Sequence, residues 1–148
     1  MKQTICALAG VMLLAAGISA QAPAAQGSAA PRPKLISPVR GQAEVHVTPP
    51  KSARSGKMVV TTMRVQNKAA GPIAGLVVDE FWYDKERQPV TGGTFRYPKP
   101  LMPNEVIDVK IETPSHPAMN QNSYQFKHAN GAIKTTNVGK IDMPKPTK

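Results

Sequence analysis

The sequence is poor in cysteine, in aromatic residues and in long apolar runs, and each shortage excludes something. Its one cysteine, Cys6, lies inside the only extended hydrophobic stretch, Ile5 to Ile18. A chain that loses that stretch keeps no thiol, which excludes disulfides, thiol catalysis, zinc thiolates and iron–sulfur clusters and leaves an apolar core to hold the fold. Aromatic residues make up 5% of the chain, and no basic motif is interleaved with them, which disfavours nucleic acid as a partner. The apolar run falls short of the roughly 20 residues that a membrane-spanning helix needs. Phosphate loops, H-E-x-x-H, G-x-S-x-G and calcium-loop patterns are all missing, and His46, His116 and His128 are far apart. The chain is accordingly expected not to be an enzyme and to use no cofactor.

What is present begins with the leader. Lys2, the uncharged run to Ile18 and the small residues Ser19, Ala20 and Ala22 have the n-region, h-region and cleavage pattern of a signal peptide, residues 1–20. The product is expected to be exported, periplasmic or secreted. Cleavage after Ala20 leaves 128 residues (148 − 20), enough for one domain but not two. Residues 21–42 are rich in Ala, Pro and Gln and read as an extended, semi-rigid linker. A folded domain is expected at residues 43–142 and a basic, proline-punctuated tail at residues 143–148.

Within that domain the hydrophobic period is two. Val59, Thr61, Met63 and Val65 alternate with Val60, Thr62 and Arg64, and Ile107, Val109 and Ile111 alternate with Asp108, Lys110 and Glu112. Tyr124 and Phe126 repeat the pattern. Turn signals at 51–56, 67–72, 84–88, 98–104, 113–122 and 130–131 divide the domain into about seven strands, as in an antiparallel sandwich. The core is expected to comprise Val59, Met63, Val65, Leu76, Val78, Trp82, Ile107, Val109, Ile111, Tyr124, Phe126 and Ile133. Asn130-Gly131 suits a two-residue type I′ turn, which would set Ala129 against Ala132, His128 against Ile133 and Lys127 against Lys134. His128 then falls on the apolar side, where a backbone group is expected to satisfy it.

Val65-Gln66-Asn67, Pro72-Ile73-Ala74-Gly75-Leu76-Val77-Val78, Trp82-Tyr83-Asp84, Pro89-Val90 and Pro100-Leu101-Met102-Pro103-Asn104-Glu105 together resemble the FxLYD-type domain of exported bacterial proteins. The resemblance covers roughly residues 58 to 112. It departs from the family pattern at Asn104, where glycine is usual, and at Glu80, where the first aromatic residue stands unless Phe81 takes that place. The resemblance implies an immunoglobulin-like β-sandwich and no particular activity.

The candidate functional residues fall into three groups. If Leu76, Val78 and Trp82 face inward, Glu80 does too and is a pocket carboxylate; if Val77, Phe81 and Tyr83 do, the buried acid is Asp79; a bulge would turn both acids outward. His116 and Met119, with Met102 from another turn, offer soft nitrogen and sulfur donors for Cu(I), the basis of a copper-handling alternative. Charge is the third clue. Seven of the nine acidic residues lie between Asp79 and Glu112, and basic residues crowd the flanks. Lys127, Lys134 and Lys140 form a candidate anion-binding patch. The chain therefore points to a non-enzymatic binding or accessory module contacting anionic envelope polymer, a membrane surface or an envelope protein, with a small envelope hydrolase as the remaining alternative.

Overall fold

The computed structural model describes residues 36–143, which form eight β-strands and no helix. The leader, most of the linker and the tail beyond Met143 lie outside the described residues. The strands are β1 (Ala43–Val47), β2 (Lys51–Ser55), β3 (Met58–Asn67), β4 (Val77–Tyr83), β5 (Pro89–Arg96), β6 (Val106–Pro114), β7 (Gln121–His128) and β8 (Gly131–Asn137).

Alternation gives each long strand one apolar face, and two layers bury those faces against each other. β3 and β6 make the longest ladder, antiparallel from Met58↔Pro114 to Gln66↔Val106. Along its other edge β3 takes two short partners end to end, β2 beside Met58 to Thr62 and β1 beside Val65 to Asn67. The second layer is β5–β4–β7. β8 joins the layers: it pairs with β7 only at Lys127↔Ala132 and His128↔Gly131, then runs parallel to β1 from Ala43↔Ile133 to Val47↔Asn137. On the opposite side β5 lies against β6. An ideal Cβ on Gly93 would meet Thr113 Oγ1 at 2.5 Å and the Glu112 carbonyl oxygen at 3.0 Å, so only glycine allows this approach.

The chain is thus the all-β sandwich expected from its period. It differs from the expectation in having one parallel pair and an eighth strand. That extra strand is β2, Lys-Ser-Ala-Arg-Ser, which the polar sequence marks as a turn. All five of its side chains are exposed, so no hydrophobic alternation announces it; backbone pairing with β3 makes it a strand.

The core holds Ala43, Val45, Val47, Met63, Val65, Ile73, Leu76, Val78, Leu101, Ile107, Val109 and Ile111, with Tyr124, Phe126 and Ile133 packed partly buried against it. The two loops bridged by Ile73↔Leu101 are held by Asn67, which is fully buried. Its Nδ2 donates to the carbonyls of Gly71 and Leu101, both at 2.9 Å, and its Oδ1 accepts from Ala69 N–H at 2.8 Å. Asn104 adopts φ 62°, a left-handed conformation that asparagine tolerates better than other side-chain-bearing residues. Ahead of β1 the chain is already bound to the domain: Val39 N–H donates to Pro72 C=O and Gly41 N–H to Asn130 C=O, each at 2.9 Å.

The last hairpin departs from the expected register. His128 faces Gly131 and Lys127 faces Ala132, so the two-residue loop is Ala129-Asn130, not Asn130-Gly131. Tertiary contacts decide this. An ideal Cβ on Gly131 would lie 2.0 Å from the Gly41 carbonyl oxygen, so this glycine serves a close backbone crossing instead of a turn position. His128 is buried, and its Nε2 lies 2.9 Å from that same carbonyl, the backbone satisfaction expected of it.

Candidate functional site

β4 runs through the second layer with Leu76 and Val78 facing the core, and the next inward position is Glu80. The ladder is regular from Val77 to Trp82; its one irregularity falls between Trp82 and Tyr83, too late to turn Glu80 out. The bulge that would expose both acids is therefore absent, and Glu80 is 1% exposed. Polar groups from three other strands converge on it. Thr61 of β3 donates to Oε1 at 2.7 Å, Thr113 of β6 to Oε2 at 2.6 Å, and Tyr124 and Asn122 of β7 to Oε1 at 3.1 and 3.2 Å. Ser52 of β2 extends the chain, its hydroxyl 2.7 Å from that of Thr61. Burial pushes the Tyr124 hydroxyl up from its ordinary value, and the Glu80 carboxylate pushes it further; bonds to Ser52 and Thr61 oppose the shift without reversing it.

Asp79, on the opposite face of β4, meets cations. Partial burial pushes its carboxyl up, but bonds from Lys127 and Thr94, with the charges of Lys127 and Arg96, outweigh this and hold it below the ordinary carboxylate range.

The network lies at a seam between the layers. Among the described residues β7 has β4 on one edge but no partner on the other beside Gln121 to Phe126, because β8 leaves it after two residue pairs, and β2 pairs only with β3. Two unpaired strand edges therefore flank Ser52, Asn122 and Tyr124. Next to them is a pocket of ≈ 210 Å³ lined by Ser52, Ala53, Arg54, Val59, Trp82 and Met119. Trp82 is the chain's only tryptophan, and its indole Nε1 is buried without a hydrogen-bond partner among the described residues. Buried N–H groups are rarely left so, since an unmade bond costs about 1–3 kcal/mol. The pocket is smaller than the roughly 300–1,000 Å³ of sites for drug-sized ligands and suits one side chain or small group.

Of the cations on the β2–β3 hairpin, Arg54 lines the pocket at the seam, Lys51 lies on the other face of β2 and Lys57 sits in the turn into β3. All nine acidic residues are among the described residues, and none comes within 4.0 Å of Lys51, Arg54 or Lys57. A larger groove of ≈ 690 Å³ on the β3–β6 side contrasts with this. Its Arg64 is paired with Asp108, Lys110 with Glu112 and Lys140 with Asp142, which leaves Lys51 as its one lining cation without an acidic partner.

The sequence-derived sites fare unequally. Glu80 is the buried centre of the network. Lys127, Lys134 and Lys140 do not form one patch: Lys127 is bound to Asp79, Lys134 stands in register with Glu44, and Lys140 is bound to Asp142. The predicted contact of Lys127 with Lys134 fails with the shifted hairpin. His116 and Met119 share a turn, but His116 N–H donates to Met119 Sδ and Ala118 N–H to His116 Nδ1, each at 3.2 Å. Met102 precedes β6 whereas His116 follows it, and a nine-residue strand spans roughly 30 Å, so the three cannot bind one ion. Sequence reasoning missed the unpaired edge of β2 and the pocket beside it. The Lys51, Arg54, Lys57 spacing was visible, but not that those residues flank an open strand.

No family model and no curated protein matches the sequence. Among solved structures the chain is similar to IrmA from Escherichia coli, with a TM-score of 0.44 and 9% identity over 72% of this chain and 100% of that one, a likeness too distant to carry an argument.

Proposed function

We propose that the protein is an exported, non-enzymatic binding or accessory module of the cell envelope, an FxLYD-like sandwich on a Pro/Ala-rich tether. Its contact surface is the basic β2–β3 hairpin and the Trp82 pocket, and its partner is anionic. The observation that carries this reading is that the β2–β3 hairpin bears three cations lacking acidic partners, one of which, Arg54, lines a pocket beside an indole whose buried N–H has no acceptor among the described residues. Glu80 argues against hydrolysis, because its oxygens already accept from four donors and no second acidic side chain joins the network.

Trp82 emission reports on the pocket without interference from other tryptophans. Titration of the full chain at low salt with polyglutamate, an oligouronate and anionic vesicles should give a saturable change with at least one probe. It should weaken as salt rises and disappear in the Lys51→Gln, Arg54→Gln, Lys57→Gln variant. Emission unaffected by all three probes rules the reading out.

A further inference from the structure

We infer that the anionic partner is an acidic polypeptide segment that adds to the sandwich as an extended strand along β2. The inference rests on the function proposed above and commits to one partner chemistry. β2 is five residues long, pairs on one edge only among the described residues, and has every side chain exposed. In an antiparallel pair alternate residues direct their N–H and C=O away from the partner, so this edge offers about two or three residues' worth of unmade backbone bonds.

Charge selects what is admitted. Lys51, Arg54 and Lys57 repel a second copy of the same edge, the usual protection of an open strand, and attract a strand rich in carboxylates. The pocket adds side-chain selection. Successive side chains of an added strand alternate between faces, so one in two turns toward the space lined by Ser52, Arg54 and Trp82. At ≈ 210 Å³ that space is sized for a single side chain. A carboxylate or amide oxygen entering it would find Arg54 and Ser52 in its lining, beside the indole of Trp82.

The test uses the full chain and a capped peptide of alternating Val and Glu. The same peptide N-methylated along one edge removes its backbone donors, and an oligouronate supplies carboxylates without a peptide backbone. The unmodified peptide should saturate the Trp82 signal and bind about tenfold or more tighter than the methylated one, the loss expected for two or three hydrogen bonds. In the Lys51→Glu, Arg54→Glu, Lys57→Glu variant the Val–Glu peptide should lose binding and a Val–Lys peptide should gain it. All three positions are exposed, so the variant keeps its fold and the gain is readable. Equal binding of the methylated peptide overturns strand addition but leaves the anionic-partner function standing. So does a Trp82 signal that answers to oligouronate and not to peptide. Silence toward both overturns the inference, and silence toward anionic vesicles as well overturns the function with it.

Discussion

Replacing Thr113 with valine keeps the side chain's shape and removes the one hydroxyl that reaches Glu80 Oε2, at 2.6 Å. The other carboxyl oxygen is differently placed, since Thr61, Tyr124 and Asn122 all donate to Oε1. Both threonines are fully buried, so water does not take the vacated position without rearrangement. Loss of a sole donor leaves a buried acceptor unsatisfied and should cost about 2–3 kcal/mol, whereas loss of one donor among three should cost about 1 kcal/mol. In a domain of this size each kcal/mol moves Tm by roughly 4–8 °C, so Thr113→Val should melt roughly 8–24 °C below wild type and Thr61→Val by no more than about half that drop. Calorimetry at neutral pH makes the comparison. Glu80→Gln should fall between the two, because hydroxyls can turn from donor to acceptor and keep most of the bonds to an amide. A Thr113→Val protein that melts with wild type, or a Thr61→Val protein that is the less stable of the pair, refutes the reasoning.

Three further outcomes can be measured. Asn67→Ala strands the Gly71 carbonyl and the Ala69 N–H and leaves the Leu101 carbonyl only its bond from Ile73 N–H, and should cost about 2–4 kcal/mol in chemical denaturation. Gly131→Ala, whose Cβ would collide with the Gly41 backbone, should cost at least about 1–3 kcal/mol, and release of residues 36–42 to limited proteolysis should accompany it. Stability should also follow pH with both limbs visible. Asp79 and Glu105 are held below the ordinary carboxylate range: burial pushes both up, but Lys127 and Thr94 at Asp79, and Met102 N–H, Tyr97 and Lys99 at Glu105, outweigh it. Their stabilisation is present above the unfolded carboxylate pKa and lost as pH falls through the lowered values. Tyr97 and Tyr124 are raised, chiefly by burial, so their contribution is present below the unfolded tyrosine pKa and lost as pH rises through the raised values. Tm should be level between about pH 5 and 9 and fall on either side, with a shallower acid limb in Asp79→Asn.

The strands that could be read from the sequence are those whose burial matches their alternation. β3 and β6 are apolar at every second residue, and Val59, Met63, Val65, Ile107, Val109 and Ile111 are buried as their spacing requires. The inward run Leu76, Val78, Glu80 was legible as one of two registers, and neighbouring strands chose between them by supplying Thr61, Thr113 and Tyr124 as donors. β2 was illegible because it buries no apolar side chain: backbone bonds to β3 hold it, with one side-chain bond between Ser52 and Thr61. The hairpin register was illegible for a different reason. Asn-Gly states a local preference, and a crossing by the chain more than eighty residues upstream overrides it. The open seam depends on β8 abandoning β7 for β1, a pairing between the first and last strands that no local pattern encodes.

That last pairing has a mechanical consequence. β1 and β8 point the same way, so the domain's chain enters the pair at Ala43 and leaves it at the far end, at Asn137. Tension applied between the two ends of the domain drags these strands past one another along their length, and all five register pairs take the load at once. An antiparallel closure pulled from adjacent ends would instead open one bond at a time, like a zip. Forced unfolding follows the height of the unfolding barrier and not the equilibrium stability. Shear loading across the whole pair raises that barrier, so a sandwich anchored upstream of β1 and pulled from beyond β8 holds its shape under a force that would peel the same hydrogen bonds apart singly.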